Sequence, residues 1–299
     1  MLDWASVASA VLGQHNSGKY GKGSVMRRLS ISTAWEETRD ILAREGRLLS
    51  TVALALIVLP TAVNSFVNPR GVVVPTTPLW MVGLALVAYL IALAGQLALI
   101  RLALGPSITV GAAITHGARR LVIYVAAVLL IVFALLIVLV VIGLVLGAMG
   151  VHVQRQMTPE MNPASLVAAL LFMAIFVFLF VRLVMAAPVA SAEAVGPFAV
   201  LRRSWRLTEG QWWPLFGFLL VFFVGAGIVA VAIGSAAGTT LAFLIGKIEP
   251  MSASALVLAL IDAVVSAAIT VLLAVMLARI YAQLTRRTDA QVSVPSSGI

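Results

Sequence analysis

Apolar residues run almost unbroken through six stretches of this chain, at residues 48–67, 79–104, 121–147, 164–190, 213–241 and 253–281. They lack the polar–apolar alternation of a half-buried strand. Each is long enough for a helix across a hydrocarbon core of ~30 Å, which takes about 20 residues. The pattern predicts an all-α integral membrane fold, a bundle of six transmembrane helices.

The polar connections carry a second pattern. In residues 29–45, Ile31, Ala34, Trp35, Thr38, Ile41 and Leu42 recur at helical spacing, and Glu36, Glu37, Arg39, Asp40 and Arg44 fill the other face. Ser30 or Ser32 suits the N-cap, and Gly46 can break the helix before the first span. Between the fourth and fifth runs, Gly196-Pro197 opens a similar helix, with Pro in the first turn. Phe198, Leu201 and Trp205 form its apolar stripe, Arg202, Arg203, Arg206 and Glu209 face away, and Gly210 precedes Trp212 and Trp213. The connection between the second and third runs is a weaker copy, with Gly105-Pro106, a thin line of Val110, Ile114 and Gly117, and then Arg119 and Arg120. The chain thus reads as a threefold repeat of an amphipathic helix followed by a helical hairpin.

These three helices are expected at the cytoplasmic interface. A face of Trp and Leu backed by Arg rests among headgroups, and each Arg near an anionic leaflet contributes about 1 kcal/mol. Packing on their own spans is an equally open and compatible role. Trp35, Phe198, Leu201, Arg202, Arg203, Trp205, Arg206, Trp212 and Trp213 are the candidate interface residues, with membrane lipids and their anionic headgroups as the expected partners.

Charge orients the bundle. Seventeen Lys and Arg fall before the first span, in the second–third and fourth–fifth connections and after the sixth span. Arg70, Arg155 and Lys247 alone fall in the alternate connections. The positive-inside rule then puts both termini in the cytoplasm. With 62% apolar and 10% charged residues and a mean hydropathy of +1.11, the 299 residues make one membrane domain, over 26–288, rather than two soluble ones. The net charge of +9 is no nucleic-acid footprint, because the Arg residues sit at span ends beside headgroups. Residues 1–25 read as a flexible leader and 289–299 as a disordered tail. Met26, followed by Arg27 and Arg28, is a candidate natural start that would make the leader non-native.

Candidate chemistry is sparse. His15, His116 and His152 lie in separate segments without metal-ligand spacing, and Cys is absent. No nucleophile, zinc or phosphate-loop motif is present. No enzyme, metal or cofactor is expected. The intramembrane polar candidates are Gln96, Arg182 and Asp262, since an ionisable group at membrane depth is a functional hypothesis by default. Helical rise puts Asp262 about 13 Å below the outer end of its run and roughly 14 Å from the level shared by Arg182 and Gln96. Arg182 is therefore expected to meet Gln96 or a headgroup phosphate, and Asp262 to be a neutral, hydrogen-bonded structural group or a transport site. Gly143-x-x-x-Gly147 and Gly234-x-x-x-Gly238 read as intramolecular packing faces, and Pro60 should kink the first span.

The most distinctive stretch runs from Ala187 to Leu220. It carries Pro188 and Glu193 after one span, then Gly196-Pro197, then Leu201, Arg203, Ser204, Trp205, Leu207, Thr208 and Gly210, then a span led by Trp213. With Tyr281 and Arg286 near the C-terminus, this resembles the membrane domain of some bacterial glycerophosphoryl diester phosphodiesterases and the related YciC-type inner-membrane proteins. The resemblance implies a six-span plan in a bacterial inner membrane and marks Pro188, Glu193, Gly196, Pro197, Ser204, Thr208 and Gly210 as family positions. In the fused relatives hydrolysis belongs to a separate metal-dependent barrel, for which this chain leaves no room after its sixth span. The expected function is a non-enzymatic membrane protein that organises or senses the bilayer or scaffolds partners. The alternative is a small permease or exporter with a cavity near Asp262.

Overall fold

The computed structural model describes residues 31–67, 77–105, 109–148, 163–244 and 252–292, and these are helical with short turns between helices and no strand. The expected leader over 1–25, the outer basic residues Arg70, Arg155 and Lys247, and the end of the tail lie outside them. The helices are α1 (Ile31–Val67), α2 (Leu79–Leu104), α3 (Val110–Ala148), α4 (Pro163–Leu183), the short α5 (Ala186–Ala192), α6 (Pro197–Leu207), α7 (Trp212–Leu244) and α8 (Ala253–Val292). Six of these segments are long and apolar enough to cross a membrane, and α4 runs on through α5 to make one of the six. α8 reaches Val292, so the first residues assigned to the tail are helical.

Two of the three expected amphipathic helices are not separate elements. α1 passes through Gly46 without a break, so residues 31–45 are the first turns of the first span. Residues 110–120 likewise open α3, where Thr109 caps the start by accepting the Ala112 N–H at 3.3 Å. α6 alone stands free. Gly196 is its extended N-cap and Pro197 its first residue. At its end Gly210 takes φ +72°, a left-handed conformation that costs glycine nothing, and the chain turns into α7.

Pro60 leaves its mark one turn upstream of itself. It has no N–H to donate to the preceding turn. α1 adopts a π-helical turn at Leu54–Val58, closed by the Leu59 N–H donating to the Leu54 carbonyl. Gly95 of α2 lies against this turn, and a Cβ there would fall 2.7 Å from the Leu56 Cβ. Gly117 of α3 approaches α2 closer still, with a Cβ placed 2.5 Å from the Ala94 carbonyl oxygen. These two glycines set the α1–α2–α3 spacing. The Gly143/Gly147 and Gly234/Gly238 pairs do not, because nothing lies within 4 Å of a Cβ at any of them. The intramolecular packing expected of both motifs is not made.

The core sits at one end of the bundle. It joins Leu49, Val52 and Ile57 of α1 to Leu97, Ala98, Leu99, Ile100, Leu102 and Ala103 of α2 and to Ala274, Val275 and Ala278 of α8. α8 packs along α1, α2 and α7. The outer reaches of α3 and α7 carry exposed apolar side chains, among them Phe133, Leu144, Val221 and Val231. Hydrocarbon tails solvate such faces at no cost. Helix direction alternates, so every Arg among the described residues lies toward the core end, in the first halves of α1 and α3, along α6, in the last turns of α2 and α4 or in the second half of α8. Among the described residues, Asp262 is the charged one that lies toward the other end.

Candidate functional site

At the basic end, chain geometry converges on α6. The helix presents Val200, Ser204 and Leu207 to the bundle, all buried. Arg203 lies on the same stripe, three residues after Val200. Its Nε donates to Glu193 Oε1 at 3.0 Å, and the Tyr281 hydroxyl of α8 donates to the same oxygen at 2.8 Å. One carboxylate thus ties the α5–α6 turn, α6 and the last span. The Ser204 hydroxyl donates to the Arg182 carbonyl at 3.0 Å, and Thr208 Oγ1 lies 3.2 Å from it. Both hydroxyls are fully buried. They satisfy one of the carbonyls that the C-terminus of α4 cannot pair internally.

The outward face of α6 is different in kind. Phe198 and Trp205 are 73% and 38% exposed, with Arg202 and Arg206 exposed beside them. The apolar stripe read from the sequence therefore faces outward and a partly polar stripe faces the protein. Periodicity found the helix but not which face docks, because Arg203, Ser204 and Thr208 have specific partners that hydropathy does not register. Arg203 is thereby held by Glu193 rather than presented outward with Arg202 and Arg206. Leu201 is half-buried on the flank, and Trp35 is exposed on the first turns of α1. The Gly196-Pro197 entry, Gly210 and buried Pro188 of α5 all serve the geometry of this segment.

An aromatic cluster closes the site toward α7. Phe178 lies edge-on to Trp205 at 5.8 Å and tilted to Trp212 at 6.2 Å. Trp212 stacks on Phe216 at 5.0 Å, and exposed Trp213 meets Trp212 edge-on at 4.7 Å. The Arg182 guanidinium carbon sits 5.0 Å from the Trp205 centroid and 5.5 Å from that of Phe178. Its Nε and Nη1 are buried without a hydrogen-bond partner, and so is Trp212 Nε1. Arg182 does not meet Gln96. That side chain lines a cavity of about 350 Å³ among α2, α3, α4, α7 and α8, with Tyr89, Tyr124, Phe180, Phe223 and Leu277.

Three contacts that sequence alone gave no means to find complete this end. His116 Nε2 donates to the Ser191 carbonyl at 2.7 Å, and Ser191 Oγ donates to the Leu97 carbonyl at 3.0 Å, pinning α5 between α2 and α3. Arg279 Nη2 donates to the Ala103 carbonyl and caps α2. At the opposite side Asp262 is exposed, and its Oδ2 accepts from the Ser65 hydroxyl at 3.2 Å. It does not line the Gln96 cavity. No cluster of metal-ligating side chains occurs among the described residues.

The chain belongs to the family defined by a domain of unknown function, DUF7847, which matches residues 29–284 and so takes in all six spans and α6. No curated protein and no solved structure matches it. Family membership and the six apolar helices together make this a polytopic membrane protein.

Proposed function

We propose that this protein is a non-enzymatic inner-membrane module of a bacterium that organises or senses lipid at the basic, cytoplasmic end of its bundle and presents that end to partners. The observation that carries the reading is the outward face of α6. Phe198 and Trp205 stand exposed beside Arg202 and Arg206 on a helix whose other face is fastened to the protein. A Trp/Phe face with flanking guanidinium groups matches the headgroup layer in depth and charge. An apolar groove runs from Pro197 and Phe198 along Leu129, Phe133 and Leu136 of α3, suited to an acyl chain below that headgroup level. The kinship with phosphodiesterase membrane domains suggested by Glu193, Arg203 and Tyr281 belongs to the same proposal.

The test uses the full chain in vesicles containing dansyl-labelled phosphatidylglycerol or phosphatidylcholine. Energy transfer from Trp to the labelled lipid reads local enrichment. The anionic probe should be enriched over the zwitterionic one, and salt should weaken that preference. The Arg202→Gln/Arg206→Gln double variant should abolish it. Equal transfer to both probes in the unmodified protein would defeat the electrostatic half of the reading. The permease alternative has one observation in its favour, the Gln96 cavity, which lies away from Asp262.

A further inference from the structure

Arg182 carries a charge that nothing in the described structure balances. Its guanidinium lies over the Trp205 and Phe178 rings, and ring quadrupoles offset part of the cost of burying it. They accept nothing from its N–H edges. Nε and Nη1 remain buried and unpartnered, and Glu193, the carboxylate between α5 and α6, is taken by Arg203 and Tyr281. A second orphan donor, Trp212 Nε1, flanks the same Phe178 ring. Buried donors of this strength are ordinarily satisfied. The cluster is also held in place rather than loose, since Ser204 and Thr208 fix the Arg182 backbone. It lies in the last turn of α4, at the basic end of the bundle.

We propose that Arg182, with the Trp212 N–H as second donor, binds one phosphate group, that of a bilayer phospholipid, beneath the Trp205 ring. Trp205 is part-exposed on α6, and its rotation gives the phosphate access to the guanidinium edge. The ligand is recognised by its phosphate, not by net charge, so a zwitterionic phospholipid binds as an anionic one does. This deepens the lipid reading of α6 and rests on it, but makes a separate demand. The outward Arg202/Arg206 face prefers net anionic lipid, whereas the Arg182 site takes any phosphodiester headgroup.

Native mass spectrometry of the delipidated full chain in a neutral detergent tests this. The probes are phosphatidylcholine, phosphatidylglycerol, phosphate-free diacylglycerol and inorganic phosphate. One molecule of either phospholipid is expected to bind at a resolved first step, with diacylglycerol failing to compete. Arg182→Gln should raise the half-saturating concentration of both phospholipids about tenfold or more, the loss of a charged hydrogen bond. Trp212→Phe keeps the ring, removes one donor and should weaken both by a smaller factor. It carries the test if Arg182→Gln does not fold. Competition by inorganic phosphate alone would keep the phosphate site but make its source soluble. Unchanged phospholipid binding in both variants, or diacylglycerol binding as tightly as phosphatidylcholine, would overturn the proposal. The Arg202→Gln/Arg206→Gln variant should keep the first binding step, which separates failure of this site from failure of the α6 reading.

Discussion

Single side chains decide how the basic end is tied together. Glu193 accepts from both Arg203 and Tyr281, so Glu193→Ala strands a guanidinium and a phenol that are part-buried. Thermal unfolding in detergent should show a loss of about 1–3 kcal/mol. Tyr281→Phe removes one donor and should cost about 1 kcal/mol. A double-mutant cycle between the two should give non-additive losses, because they share one oxygen. The glycines offer a sharper contrast. Gly117→Ala drives a methyl to 2.5 Å from the Ala94 carbonyl oxygen, which is backbone and cannot swing away. Overpacking of this kind costs about 1–3 kcal/mol. Gly143→Ala meets nothing and should be neutral or gain the helix propensity of Ala. Asp262→Asn should leave the fold intact, since an amide oxygen accepts from Ser65 as the carboxylate does. The resemblance implied Glu193, Ser204 and Thr208 as family positions without a reason for them, because their partners come from three other helices. It misread the G-x-x-x-G pairs for the same reason, since a small-residue motif does not reveal whether a neighbour is present.

At the scale of elements, six spans were legible because a helix that meets lipid on most of its surface must be apolar nearly throughout. Boundaries between span and amphipathic lead-in were not. Helical periodicity is the same on both sides of Gly46, and one glycine in an otherwise continuous helical pattern is tolerated at about 1 kcal/mol. The lead-ins of α1 and α3 therefore continue as rigid extensions of their spans. α6 is detached by chemistry at both ends, an extended Gly196 before Pro197 and the left-handed Gly210 after it. Replacing Gly210 by Val should be costly, since a β-branched residue resists positive φ. Gly46→Ala should be neutral or slightly stabilising on the same thermal assay. The π-helical turn before Pro60 was half legible. A proline in a span predicts a disturbance, and the wider turn absorbs the missing donor without a break in the helix.

Over the whole molecule, the alternating helices gather the described Arg residues at the end that holds the tight core, α6, and the Arg182 cluster. That distribution carries the claim that this end faces the cytoplasm and meets headgroups there. The sequence made the charge asymmetry plain because it is a count along the chain. It left the shared end of Glu193, Arg182 and Tyr281 invisible, because that is a product of folding. The protein contains no cysteine, so single-cysteine variants report sidedness without background. Ala199→Cys on α6 is exposed at the basic end, and Leu79→Cys and Phe243→Cys are exposed at the other. A membrane-impermeant maleimide applied to intact spheroplasts should label the second pair and spare Ala199→Cys until the membrane is opened. Labelling of Ala199→Cys in intact spheroplasts, with Leu79→Cys and Phe243→Cys protected, would contradict the orientation and with it the lipid-facing role of the basic end.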